Sequence, residues 1–133
     1  MPRVLAMDDD PYFRLVIDRV LASAGIEAVV AESGAEGLRK ARENPPDVIL
    51  CDLEMPGMDG FEVLAEVRKE AAMVSIPFVF VTGAATEAEE ERMLRSGAAA
   101  VLRKPLAFAP LLAAVKSLLP APPPSDGQPP PTR

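Results

Sequence analysis

Histidine is missing from this 133-residue chain. Its absence excludes a Ser-His catalytic triad and histidine-ligated zinc, and any phosphohistidine in its chemistry must come from another protein. The one cysteine, Cys51, leaves no internal disulfide, and inside an apolar run it reads as a small core residue rather than a reactive thiol. No stretch is long and apolar enough to cross a bilayer and the N-terminus carries no signal-peptide pattern, so a cytoplasmic protein away from the membrane is expected. Cations are few beside acids, 14 Lys and Arg against 20 Asp and Glu, and the net charge of −6 argues against a nucleic-acid surface. What remains is enough for one domain, since 49% of the residues are hydrophobic and the length suits about one core.

Acids gather where apolar runs stop. Val48, Ile49, Leu50 and Cys51 form a run without polar alternation, which suits a strand buried on both faces of a parallel sheet. Pro56, Gly57 and Gly60 force a turn just beyond it. Asp52 is thereby delivered to the carboxyl end of a strand, the edge at which open α/β sheets hold their ligands. Val4, Leu5, Ala6 and Met7 make the same delivery to Asp8, Asp9 and Asp10. Either Asp9 or Asp10 can cap the helix that Pro11 opens. Three acids in a row exceed what one cap needs, and carboxylates crowded in a cleft repel one another unless a cation lies between them. A hard divalent ion with oxygen ligands, Mg²⁺ above all, relieves that repulsion.

Strand-like runs near residues 3–8, 26–31, 47–52, 77–82 and 99–103 alternate with helical patterns, the signature of a doubly wound parallel α/β sheet with helices on both faces. The first helix, about 11–24, carries Phe13, Val16, Ile17, Val20 and Leu21 on one face, and Gly25 ends it. Ser33 with Glu36 and Thr86 with Glu89 have capping-box spacing and start the second and fourth helices, the fourth stopping at Gly97. The third helix is expected from about Gly60 to Ala71 with Phe61, Leu64 and Ala65 inward, and the fifth from about Ala107 to Leu119. In the fifth, Phe108, Leu111, Leu112, Val115 and Leu118 are expected inward and Pro110, Ala113 and Ala114 outward. Residues 1–119 thus form the domain, and 120–133, rich in proline, read as an extended, disordered tail or linker.

Two more residues end apolar runs: Thr82 after Phe78 to Val81, and Lys104, followed by Pro105, after Val101 and Leu102. Either alone is ordinary, a turn residue or a solvated cation. The conjunction is specific. Asp8-Asp9 after the first strand, Asp52 with its Met-Pro-Gly turn after the third, Thr82 after the fourth and Lys104-Pro105 after the fifth resemble the receiver domain of two-component response regulators, over residues 3 to about 119.

That resemblance implies a flavodoxin-like sheet in strand order 2-1-3-4-5 and a phosphorylation switch, in the manner of single-domain chemotaxis-type regulators. It makes Asp52 the phosphoacceptor, and Asp8, Asp9, Asp52 and the backbone carbonyl of Glu54 the Mg²⁺ ligands. Thr82 becomes the switch hydroxyl, Lys104 the phosphate-sensing lysine, and Pro105 the member of a cis peptide. Implied partners are a histidine kinase or histidine phosphotransfer protein, a downstream protein target, and possible homodimer formation through the fourth helix, fifth strand and fifth helix. On this resemblance the protein is expected to catalyse only its own aspartyl phosphorylation and dephosphorylation, and not to be an enzyme acting on an outside substrate. It departs from the family at Val101, where Tyr or Phe is usual, and at Gly83, where Ala is common; Glu54 adds a negative side chain beside the site. A second reading is a receiver cut from a longer regulator whose output domain lies beyond the proline-rich segment. A haloacid-dehalogenase-type phosphatase needs its nucleophile after the first strand, and a Toprim-type metal-dependent nuclease leaves Thr82 and Lys104-Pro105 without a role.

Overall fold

In the computed structural model the described residues are 1–83, 85–105 and 107–120. Ala84, Leu106 and the proline-rich segment beyond Pro120 lie outside them. Five strands and five helices alternate: β1 (Arg3–Met7), α1 (Pro11–Ser23), β2 (Glu27–Ala31), α2 (Gly34–Glu43), β3 (Val48–Asp52), α3 (Gly60–Lys69), β4 (Phe78–Thr82), α4 (Glu87–Arg95), β5 (Ala100–Arg103) and α5 (Phe108–Leu118). All strand pairs are parallel, in the order β2-β1-β3-β4-β5. The expected doubly wound sheet is therefore the observed one.

Strand period two splits the interior into two cores. Leu5, Met7, Ile49, Cys51, Phe78 and Phe80 face Leu38, Val63, Leu64, Val67 and Met93 of α2, α3 and α4. Val4, Ala6, Val48, Leu50, Val79 and Val81 face Ile17, Val20, Leu21, Leu111 and Val115 of α1 and α5. β3 and β4 are buried along their whole length, which explains their runs of apolar residues without alternation. Gly25 and Gly97, at φ +76° and +110°, end α1 and α4 in the left-handed conformation that suits glycine.

Caps set the helix starts. Asp10, not Asp9, caps α1, its carboxylate accepting from the Tyr12 amide, because the Asp9 position is still part of the strand-to-helix turn. Ser33 caps α2, and Thr86 with Glu89 closes a full capping box on α4. Asp59 with Glu62 closes another on α3, a pairing legible in the sequence by its spacing and overlooked there.

Two inward assignments fail. Ala65 is exposed because the buried stripe of α3 runs through Val63, Leu64 and Val67, and Ala65 lies beside it. Phe108 is 63% exposed, since in the first turn of α5 it opens onto a groove shared with Tyr12, Leu15 and Pro105 and joins neither core. No described helix is long and apolar enough to cross a membrane.

Candidate functional site

The register brings the strand ends level. Met7 pairs with Cys51 and Asp52 with Val81, so Asp8, one residue past β1, sits beside Asp52 at the end of β3. The ladder continues past the strands, with Asp8 N donating to Ala31 O at 3.0 Å and Lys104 N to Thr82 O at 2.8 Å. By residue parity Asp8, Asp52 and Lys104 share the sheet face of Val4, Leu50 and Leu102, while Thr82 shares that of Phe78 and Phe80, toward α4. Gly60 lets α3 close on this edge: a Cβ there would stand 2.7 Å from Asp52 O and 2.8 Å from the Phe80 ring.

Carboxylate oxygens of Asp8, Asp9 and Asp52 all lie within 4.8 Å of one another. Asp8 and Asp52 are buried and Asp9 is exposed. Lys104 Nζ donates to Asp8 Oδ2 at 2.6 Å and lies 3.7 Å from Asp52 Oδ2. The Phe13 ring sits under the same ammonium, 4.3 Å from Nζ to its centroid. The Asp10 amide donates to Asp8 Oδ1 at 2.9 Å, and the Arg14 guanidinium to the Asp8 carbonyl at 2.7 Å. Asp52, Glu54, Thr82, Gly83 and Lys104 line an open cleft of about 320 Å³ over this cluster. The Lys104–Pro105 peptide is cis.

Burial pushes the Asp52 carboxyl up to about 6 from 3.8, helped by the charge of Asp8 and opposed by Lys104 and the Glu54 amide. Burial acts downward on the Lys104 ammonium, but the hydrogen bond it donates to Asp8 and the charges of Asp52, Asp8 and Asp10 outweigh it and the net shift is upward. Burial also raises the Cys51 thiol well above its ordinary value, with the charge of Asp52 adding to it, so this thiol stays protonated.

The donor set fits a hard divalent cation. Only carboxylate oxygens converge here, and three of them against one ammonium leave a formal charge that one divalent ion would balance.

The partial burial of Val101 against the α2, α3 and α4 core fills the position where the family's aromatic was expected. Sequence reading had no access to three contacts at the site: Phe13 beneath Lys104, Arg14 on the Asp8 carbonyl, and Arg103, which donates to Ala85 O at 3.0 Å and pairs with Glu90. Only Phe13 carried a signal, its place on the apolar face of α1.

A doubly wound parallel sheet with an acidic pocket at its carboxyl edge, a lysine reaching into it and a threonine at the neighbouring strand end is the architecture of a phosphoacceptor switch domain. The sequence profile of the response regulator receiver domain matches residues 4–116, and the chain belongs to that family. It is 34% identical over 119 residues to protein PilH of Pseudomonas aeruginosa, covering 90% of this chain and 98% of that protein. It is 38% identical over 118 residues to the transcriptional regulatory protein PrrA of Mycobacterium bovis, covering 89% of this chain and 50% of that protein. Among solved structures, chemotaxis protein CheY4 of Vibrio cholerae superposes with a TM-score of 0.85 at 33% identity, over 90% of this chain and 99% of that one. The protein is a receiver of two-component signal transduction, a signalling domain in a family marked by aspartyl phosphorylation and Mg²⁺ binding.

Proposed function

We propose that Asp52 takes the phosphoryl group in this receiver. Asp8 and Asp9 complete a Mg²⁺ site with it, the Glu54 backbone carbonyl is a further ligand, and Lys104 and Thr82 contact the phosphoryl oxygens. The observation that carries this reading is the meeting of three carboxylates and one ammonium at the open end of the sheet. The donor is a histidine on a partner kinase or histidine phosphotransfer protein, since this chain has none. In the transfer the N–P bond breaks, leaving its electron pair on the imidazole nitrogen, and a bond from Asp52 Oδ to phosphorus forms.

The transition state is loose and in line, with charge spread over three oxygens, so positioning and neutralisation do most of the catalysis. Bound Mg²⁺ supplies positive charge where those oxygens gather. In the metal-free site burial raises the Asp52 carboxyl to about 6, which still leaves it ionised, and so able to act as nucleophile, at neutral pH. Lys104, on a flexible stem, can swing from Asp8 to a phosphoryl oxygen. The Thr82 hydroxyl can donate to another once the bond exists. Drawing Thr82 inward moves the segment between Gly83 and Thr86 and with it α4. Attack of water on the same phosphorus breaks the Asp52 Oδ–P bond, leaves its electron pair on the carboxylate and releases inorganic phosphate, so the only reactions catalysed are on the protein itself.

The unit that performs this is residues 1–119, in the cytoplasm, with 120–133 as tail or linker. Output passes through α4, β5 and α5 to a downstream protein or a second copy, a reading supported by the exposure of Pro110 and Ala113 on α5. Ala113→Glu or Ala114→Glu is expected to weaken association in sedimentation runs with a beryllofluoride mimic and to leave phosphorylation intact.

Acetyl phosphate with Mg²⁺ tests the site. Wild type should gain one base-labile phosphoryl group and Asp52→Asn none, while Asp9→Ala should bind Mg²⁺ at least about tenfold more weakly, as the loss of a charged ligand predicts. Stoichiometric labelling of the Asn variant would move the acceptor elsewhere.

A further inference from the structure

Exposed large apolar side chains are few among the described residues, yet Tyr12, Leu15 and Phe108 fall together, 73%, 49% and 63% exposed. They line a groove of about 630 Å³ between α1 and the start of α5. Its α1 wall is a single stripe, because Tyr12, Leu15, Val16 and Arg19 recur at the spacing that puts helix residues on one side. We propose that this stripe is the seat of a second copy of the chain, whose α1 lies antiparallel to the first about a twofold axis beside Leu15 and Val16.

The stripe is its own complement. Asp10 and the Tyr12 ring mark one end, and Arg19, about 10 Å along the helix from Tyr12, marks the other. Arg19 is exposed and makes no hydrogen bond or ion pair among the described residues. Leu15 and Val16 lie midway, so a twofold axis there sets Leu15 of each copy against Val16 of the other. Each Arg19 then lies over Tyr12 of the second copy, guanidinium on ring face, with Asp10 two residues further along. A parallel arrangement would put Arg19 beside Arg19 and Asp10 beside Asp10, so the charge order selects the antiparallel one. A contact that uses the same patch twice closes as a dimer.

This face is separate from the one assigned to output. α1 and α5 cover one side of the sheet and α4 the other, and Pro110 and Ala113 do not line the groove. Tyr12 and Arg19 belong to neither core, so substitutions there leave the packing of the domain intact.

Sedimentation equilibrium of the full chain in chelator, without a phosphodonor, tests the pairing independently of the phosphotransfer reading. Between about 10 µM and about 1 mM, where a small interface registers, wild type is expected to shift from monomer toward dimer. Tyr12→Arg and Arg19→Glu should each weaken association at least about tenfold, since the first sets two arginines together and the second brings an acid toward Asp10. An equimolar mixture of the two variants should associate to within about threefold of wild type, because the mixed dimer keeps one Tyr12–Arg19 contact and gains one arginine–glutamate pair. Monomer at every wild-type concentration would overturn the proposal and leave the stripe to a different protein. So would association that neither substitution moves, which would place the contact elsewhere, or a mixture no stronger than the single variants, which would exclude the twofold pairing.

Discussion

Asp52 is pulled in opposite directions by its surroundings. Burial, and then the charge of Asp8, raise its carboxyl to about 6, while Lys104 draws it down. The native value lies above the unfolded value of 3.8, so between about pH 4 and 6 the native state holds more protons than the unfolded one. In metal-free protein this residue's contribution to stability therefore falls as pH rises through that window and is flat above it. Asp8, Asp9 and Lys104 are the charged groups that face it. Urea unfolding in chelator should show Asp52→Asn gaining on wild type up to about pH 6 and no further. A gap independent of pH would assign the effect to another group. At Gly60 the constraint is steric. A methyl group would meet the Asp52 carbonyl and the Phe80 ring, so Gly60→Ala is expected to cost about 1–3 kcal/mol in unfolding and to weaken Mg²⁺ binding by displacing Asp52.

Four of the five helices start on a side-chain cap, and α5, which follows Ala107, has none. Removing the α3 cap by Asp59→Ala leaves the Glu62 amide without its acceptor and should cost about 1 kcal/mol in chemical unfolding. Between β4 and α4 the tie is Arg103, whose guanidinium holds Ala85 O and Glu90 from the end of β5. The pair is half exposed, so Arg103→Ala should lower stability by less than about 1 kcal/mol. The same change should speed amide exchange in the segment between Thr82 and α4, because that segment loses a bond to a neighbouring strand. Protection unchanged by the substitution would show the tie to be idle. This charged contact is one of the ties that join β5 to the loop beside Thr82.

Across the whole molecule, the acid cluster is a local fault that binding repairs. Three carboxylates held together by two apolar cores repel, and any cation that binds the native state alone raises its stability by mass action. Mg²⁺ at a hundred times its dissociation constant should add about 2.7 kcal/mol to unfolding. Scanning calorimetry with and without the ion should show a higher melting temperature in wild type and little change in Asp9→Ala. An equal rise in both would point to nonspecific stabilisation.

Sequence alone determined the element order, the parallel sheet and the identity of the residues at the strand ends, because those depend on short-range signals: apolar runs four or five residues long, proline and glycine turns, and caps. Asp59 with Glu62 was as legible as Ser33 with Glu36. Tertiary structure decided the rest. Whether Ala65 or Phe108 is buried depends on what lies beneath a helix turn, and periodicity carries no information about where a sheet ends. That Lys104 bonds to Asp8, 96 residues away, more closely than to Asp52, and rests on Phe13, follows from strand register and from which helix covers which face. Electrostatics at Asp52 has the same origin, since burial and the charge of Asp8 arise only when separate stretches of chain are folded against one another.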